Sequence, residues 1–329
     1  MNVLITGGAG YIGSVVTSQV IDAHHHVVLY DDLSHGHKKA IHPQATFIQG
    51  NLSDKELLLK TLKDHQIEAV IHFAAFIEAG ESMQKPEKYF RNNTVNTLNL
   101  LEALIETHVN QLVFSSTAAV YGNPETTPIT EDMPLQPTNA YGESKLMVEH
   151  MLRWFNQIHG LKYTSLRYFN ASGATDTLGE DHQPETHLIP LAIAAVMGKR
   201  DALKLFGTDY PTPDGTCIRD YIHVEDLATA HVLALENMAK TSGQSRFIYN
   251  LGSEKGFSNR EVIEAVGQVA GKPVPYEEAL RRPGDPAILV ASSQKIQREL
   301  GWKPTYKDIK DIITSAWNWK QKNPNGYEN

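Results

Sequence analysis

Val3-Leu4-Ile5-Thr6-Gly7-Gly8-Ala9-Gly10-Tyr11-Ile12-Gly13 is the stretch that decides the fold. A short apolar run ends in a glycine loop, and a helical pattern follows from Ser14 to about Ala23. Gly7, Gly10 and Gly13 satisfy G-x-x-G-x-x-G, while Gly8, Gly10 and Gly13 also spell G-x-G-x-x-G. The first glycines make a tight turn and let a pyrophosphate approach the backbone. The last lets the helix pack closely on the sheet, with the helix N-terminus facing the anion. Placed between a first strand and a first helix, the loop predicts a dinucleotide-binding βαβ unit.

The next strand, His26–Tyr30, ends at Asp31, where a carboxylate would accept hydrogen bonds from the adenosine ribose. No basic residue follows at once to neutralise a 2′-phosphate, so NAD is expected over NADP. Alternation continues with a strand at Thr46–Ile48, a helix from Asp54 to about Lys63, and a strand at Ala69–Phe73 ending in Ala74-Ala75. Pro86 to about Glu106 reads as largely helical, Gln111–Phe114 as a strand running into Ser115-Ser116-Thr117, and Tyr163–Arg167 as another. Regular alternation predicts an α/β fold with a doubly wound parallel Rossmann sheet, whose ligands bind beyond the carboxyl ends of the strands. Past Asn170 the pattern loosens into a smaller interwoven C-terminal lobe. The expected division is an NAD-binding domain over 1–170, with a return to the sheet at about 222–252, and a mainly substrate-binding lobe over 171–329.

The chain has 329 residues, 41% of them hydrophobic, and a net charge of −8 without a run of Lys or Arg. A large core is available, whereas nucleic acid and anionic membrane surfaces are not expected partners. No apolar stretch approaches the roughly 20 residues of a membrane span. Met1-Asn2 leads straight into the first strand without room for a signal peptide, so a cytoplasmic protein is expected. The single Cys217 permits neither an internal disulfide nor a zinc cluster. The His24-His25-His26 tract reads as a solvated turn, and no metal centre is expected.

Chemistry enters with Tyr141-Gly142-Glu143-Ser144-Lys145. The run to Gly160 predicts a helix capped by Thr138 or Asn139, which puts Tyr141 and Lys145, i and i+4, on one face. A phenol has a reference pKa of about 10, and bringing it near 7 takes roughly 4 kcal/mol. A cation about 4 Å away at an effective dielectric near 20 supplies roughly that amount.

Together the glycine loop, Asp31, Phe114–Thr117, Tyr141 with Lys145, and Arg167-Tyr168-Phe169-Asn170 resemble an extended short-chain dehydrogenase/reductase. His187-Leu188-Ile189-Pro190, the run from Phe206 to His223, and Arg282-Pro283-Gly284-Asp285 narrow the resemblance to the nucleotide-sugar 4-epimerases of that family. The resemblance implies interconversion of UDP-glucose and UDP-galactose through a 4-keto intermediate and transient NADH, by a homodimer. Tyr141 would be the base, Lys145 with the positive nicotinamide ring would keep the phenolate stable and bond the nicotinamide ribose, and Thr117 would bridge the sugar 4-oxygen and the tyrosine. The NAD site would draw on Gly7, Gly10, Tyr11, Ile12, Gly13, Asp31, Asn51, Leu52, Phe73, Ala74, Ala75, Asn93, Ser115 and Tyr168, besides Tyr141 and Lys145. The UDP-sugar would meet Thr117, Tyr141, Asn170, His187, Leu188, Phe206, Arg219, Arg282, Asp285 and Leu289.

Some positions depart from that pattern. Asn51 stands where the family usually has Asp beside the adenine, Ile77 where some members place Lys on the NAD phosphates, and His187 where many carry Asn. Leu289 falls at a gatekeeping position beside the sugar 2-substituent, and its intermediate bulk implies lesser activity on N-acetylated sugars. A 4-epimerase of UDP-N-acetylglucosamine or UDP-glucuronate is an alternative. A 4,6-dehydratase would need an Asp-Glu pair directly after the Thr, and Ala118-Ala119 stand there instead. A non-catalytic NAD sensor would usually lack the Tyr/Lys pair.

Overall fold

The computed structural model describes residues 1–282 and 285–327. Pro283 and Gly284, part of the stretch quoted above, lie outside the described residues. Six strands alternate with helices through the first half of the chain: β1 (Asn2–Thr6), β2 (His26–Asp31), β3 (Thr46–Gln49), β4 (Ala69–His72), β5 (Gln111–Thr117) and β6 (Lys162–Tyr168). The second half contributes β7 (Asn170–Ser172), β8 (Leu203–Phe206), β9 (Ile218–His223), β10 (Arg246–Leu251), β11 (Gly256–Ser258), β12 (Tyr276–Ala279) and β13 (Ile288–Leu289). β10 rejoins the first sheet beside β6, giving a seven-stranded parallel sheet of order β10-β6-β5-β4-β1-β2-β3. The order reverses at β1/β4, the crevice where such sheets bind dinucleotides.

Strands buried on both faces read as continuous apolar runs, and Val3, Leu4, Ile5, Val70 and Ile71 are fully buried. One face packs on helices Tyr11–Asp22 and Val224–Lys240. The other packs on helices Lys55–Asp64, Asn96–Glu106 and Ala140–His159. A third core joins helices Leu188–Val196, Asn259–Ala270 and Ile309–Lys322 in the second lobe.

Two local features set the site. Gly7 sits at φ +71°, and a Cβ there would fall 2.6 Å from Ala74 N; at Gly13 a Cβ would fall 2.2 Å from Gly7 O. Only glycine fits either place. The Ala140–His159 helix is capped by Asn139, whose side chain accepts from Gly142 N–H at 2.8 Å, and it ends at Gly160 in the left-handed region. The Pro86–Glu106 stretch is not one regular helix. Phe90–Val95 forms a wider π turn between two α-helical pieces, a feature that often re-aims a side chain at a functional site. Here it carries Asn93.

Candidate active site

Two cavities meet at the carboxyl ends of the strands. The first, about 340 Å³, runs from Gly7, Gly10, Tyr11, Ile12 and Gly13 past Asp31, Asn51 and Leu52 to Phe73, Ala74 and Ala75. It ends among Ser115, Thr117, Tyr141, Lys145, Tyr168 and Asn170. The second, about 500 Å³, is lined by Asn170, His187, Leu188, Phe206, Arg219, Arg282 and Asp285. His35, Ile77, Glu78, Asn170, Ala171 and His187 border both.

Asp31 is held by the loop it faces, accepting from Ala9 N–H at 3.0 Å and Leu33 N–H at 2.8 Å, while burial raises its pKa. Asn51 has its amide turned into the protein: Nδ2–H donates to Asp32 Oδ2 at 2.6 Å, and Oδ1 accepts from Ser53 N–H at 2.9 Å. Asp32, absent from the sequence-based set, therefore joins the cavity wall together with Asn51. Asn93 does not line either cavity. It clasps the loop that does, accepting from Phe76 N–H at 2.9 Å and donating to Phe76 O at 3.0 Å and Ser144 Oγ at 3.0 Å. Leu289 also lies outside both linings among the described residues; it packs in an apolar cluster with Leu146 and Phe169, and only Phe169 reaches the first cavity. Ile77 supplies an apolar wall to both cavities.

At the catalytic end, Lys145 Nζ donates to Ser115 O at 2.8 Å from a buried position. Burial lowers its pKa to about 7. Tyr141 is pushed up to about 12, chiefly by burial, with Glu78 adding to the rise and a Thr117 hydrogen bond opposing it. Burial therefore outweighs the Thr117 hydrogen bond that favours the phenolate. The i, i+4 spacing delivers the pairing of faces, but the site also strips water from both groups, and that loss dominates. A second positive charge near Tyr141 would lower the cost of ionising it by about 4 kcal/mol at about 4 Å, and the cationic ring of oxidised nicotinamide carries one. The apolar, glycine-floored first cavity fits such a cofactor.

Beneath the helix lies a buried network. Arg167 donates Nε–H to Glu149 Oε1 at 3.0 Å and Nη2–H to Glu149 Oε2 at 2.6 Å, and Ser116 Oγ–H donates to Glu149 Oε1 at 2.6 Å. Arg167 Nη1–H also donates to the Tyr121 hydroxyl at 2.8 Å. The arginine of the Arg167–Asn170 motif thus locks the Tyr141 helix to β5 and β6 rather than reaching the cavities. Tyr168 donates its hydroxyl to His231 Nε2, while His231 Nδ1–H donates to Leu227 O at 2.8 Å. Burial keeps that imidazole neutral, with a pKa lowered to about 4, which leaves Nε2 free to accept.

In the second cavity Arg282 stacks over Phe206, 4.1 Å from the ring centroid. Arg219 donates to Ile218 O at 2.9 Å. Neither guanidinium has a carboxylate within ion-pair reach among the described residues, in contrast to Arg281, whose Nε–H donates to Asp209 Oδ1 at 2.7 Å. Two guanidiniums without counter-ions in one cavity suit an anionic ligand. Sequence reasoning missed Glu78 and His35 on the wall shared by the two cavities, and Glu180 and His182 on the wall of the first. For the last two a signal existed, the spacing Glu180-x-His182-x-x-Glu185-x-His187.

Fold and site define an NAD-dependent enzyme class, and residues 3–252 match the NAD dependent epimerase/dehydratase family, to which the chain belongs. Its relatives of known activity are more particular. It is 48% identical to UDP-glucose 4-epimerase of Streptococcus mutans, across 100% of this chain and 99% of that one. The UDP-glucose 4-epimerase structure from Brucella ovis in complex with NAD superposes at a TM-score of 0.92, with 45% identity over 96% of this chain and 97% of that one. The UDP-Glc/GlcNAc 4-epimerase from Campylobacter jejuni does so at 0.85, with 44% identity over 98% and 99%.

Proposed function

We propose that the chain interconverts UDP-glucose and UDP-galactose at the sugar C4, with NAD in the first cavity and the UDP-sugar in the second. The observation that supports this reading most is the shared wall: Asn170, Ala171 and His187 border both the glycine-loop cavity, which holds Tyr141 and Thr117, and the cavity lined by Arg219 and Arg282. Bound NAD supplies hydride acceptance and return. The chain's own residues do the rest. Tyr141 takes the proton of the 4-hydroxyl, Thr117 hydrogen-bonds that phenol, and Lys145 orients the ribose beside it. Arg219 and Arg282 hold the diphosphate, with Phe206 and Asp285 at the nucleoside end. Firm binding of the non-reacting nucleotide leaves the keto sugar free to present its other face.

On this reading residues 1–170 with 222–252 form the cofactor half and the remainder the substrate half. The protein is cytoplasmic; no described helix is long and apolar enough to cross a membrane. A homodimer fits the exposed apolar stripe Met147, Trp154 and Ile158 on the Tyr141 helix, with Val95 also exposed on the neighbouring π turn. The similarity to an enzyme named for both glucose and N-acetylglucosamine forms favours a second, slower activity on the N-acetyl pair. Incubating purified protein with UDP-galactose and following UDP-glucose by chromatography tests the proposal. Steady conversion to an equilibrium mixture is expected, and an unchanged substrate in the presence of added NAD overturns it.

A further inference from the structure

The segment leading into the Leu188–Val196 helix brings four side chains together. His187 Nδ1 lies 2.8 Å from Glu180 Oε1 and 2.9 Å from Glu185 Oε1. His182 Nδ1 lies 3.1 Å from Glu180 Oε1 and 3.9 Å from Glu185 Oε2. One ligating atom from each residue lies within 4.8 Å of the other three. We propose that Glu180, His182, Glu185 and His187 bind one divalent cation of the zinc type.

Three arguments support this. Geometry comes first: a tetrahedral ion with bonds of about 2.0–2.2 Å holds its ligands roughly 3.3–3.6 Å apart, within the spread of the measured separations. Chemistry follows, since two imidazoles with two carboxylates suit Zn²⁺ or Co²⁺, whereas Mg²⁺ and Ca²⁺ prefer all-oxygen sets. Rigidity is the third. Asp181, inside the segment, accepts from His37 Nε2–H through its carbonyl at 2.8 Å and from Tyr327 N–H through Oδ2 at 2.8 Å, and it pairs with Lys320 at 3.6 Å. The Tyr11 ring stands edge-on to His182 at 6.2 Å. The donors are therefore gathered on a fixed backbone before any ion arrives, which removes much of the ordering cost of binding. The competing account is a closed set of hydrogen-bonded ion pairs between imidazolium and carboxylate.

The location gives the site a consequence. Glu180, His182 and His187 line the first cavity and His187 also lines the second, so a bound ion would staple the wall between them. Metal binding itself does not depend on the epimerase reading, and its test needs no turnover.

The full-length protein, stripped with chelator and dialysed, is titrated with Co²⁺ and followed by visible absorption. One equivalent is expected to develop the intense bands of four-coordinate cobalt, and Zn²⁺ should displace it. His182→Gln with His187→Gln should abolish the bands, and Glu185→Gln alone should weaken binding by more than the roughly 10–100-fold that loss of an outer-shell partner costs. A His24→Gln, His26→Gln variant controls for the histidine tract at the first turn and should keep the full signal. The proposal is overturned if the parent protein shows no stoichiometric signal. It is equally overturned if the signal survives the double His182/His187 substitution or disappears with the His24/His26 control.

Discussion

The first cavity grows from the ends of consecutive strands, whereas the second, bearing Arg219 and Arg282, is gathered from stretches as far apart as His35 and Asp285. In the first, position follows from register: once β1 is flanked by β2 and β4, Gly7, Asp31 and Ala74 must lie side by side. In the second, no register connects Phe206, Arg219 and Arg282, and the packing of the smaller lobe brings them together. A site built on sheet register tolerates little variation in its frame. A site assembled by the packing of separate elements can change its ligand without disturbing the core.

Tyr141→Phe should give the largest effect. It keeps the ring and the helix, so NAD content and melting behaviour should match the parent, while turnover falls about 10³-fold, within the range for loss of a positioned base. Near-normal kcat would remove Tyr141 from the reaction. Glu149→Ala strikes the frame instead, leaving Arg167 buried without its partner. Stability should drop by about 3–5 kcal/mol in urea unfolding, with cofactor retention lost in step. A loss below 1 kcal/mol would mean the network is not what holds the helix.

Acid should weaken the frame through buried neutral histidines. His223 accepts from Glu225 N–H at 3.1 Å and stacks on Tyr306 at 3.7 Å, and burial lowers its pKa to about 4 from the usual 6.5. Between those values the unfolded chain binds a proton that the folded one refuses. This stability is fully present above about 6.5 and is lost as pH falls towards 4, amounting to about 3 kcal/mol. His223→Asn should flatten the stability-versus-pH curve over that window by one proton. An unchanged slope would show that His223 protonates without unfolding.

Leu289→Tyr should have the smallest effect and probes the half gathered by lobe packing. Leu289 packs against the cluster that contains Phe169, which lines the first cavity, and pairs in register with Arg219, which lines the second. If it shapes the sugar 2-position, activity on the N-acetyl pair falls further than activity on UDP-galactose. Parallel losses would assign Leu289 to packing alone.

This contrast also explains what could be read from the residues. The glycine loop, Asp31 and the Tyr141 helix are local patterns, and each of their geometries follows from backbone rules that act within a few residues. The return of β10 to the sheet edge was legible for the same reason, as an apolar run after a helix. Asn93 was not legible as a clasp, because its role depends on a π turn and on contact with Phe76 and Ser144. The balance of charge at Tyr141 was not legible either. Spacing places Lys145 beside it, but how much water the two groups lose depends on the whole packed site.

The central claim is that a hydride leaves and returns at the same carbon within one closed site. UDP-galactose deuterated at C4 tests it most directly. The account predicts that the UDP-glucose formed keeps deuterium at C4, with no dilution in protonated water or by added unlabelled NADH. Loss of the label to solvent would contradict it.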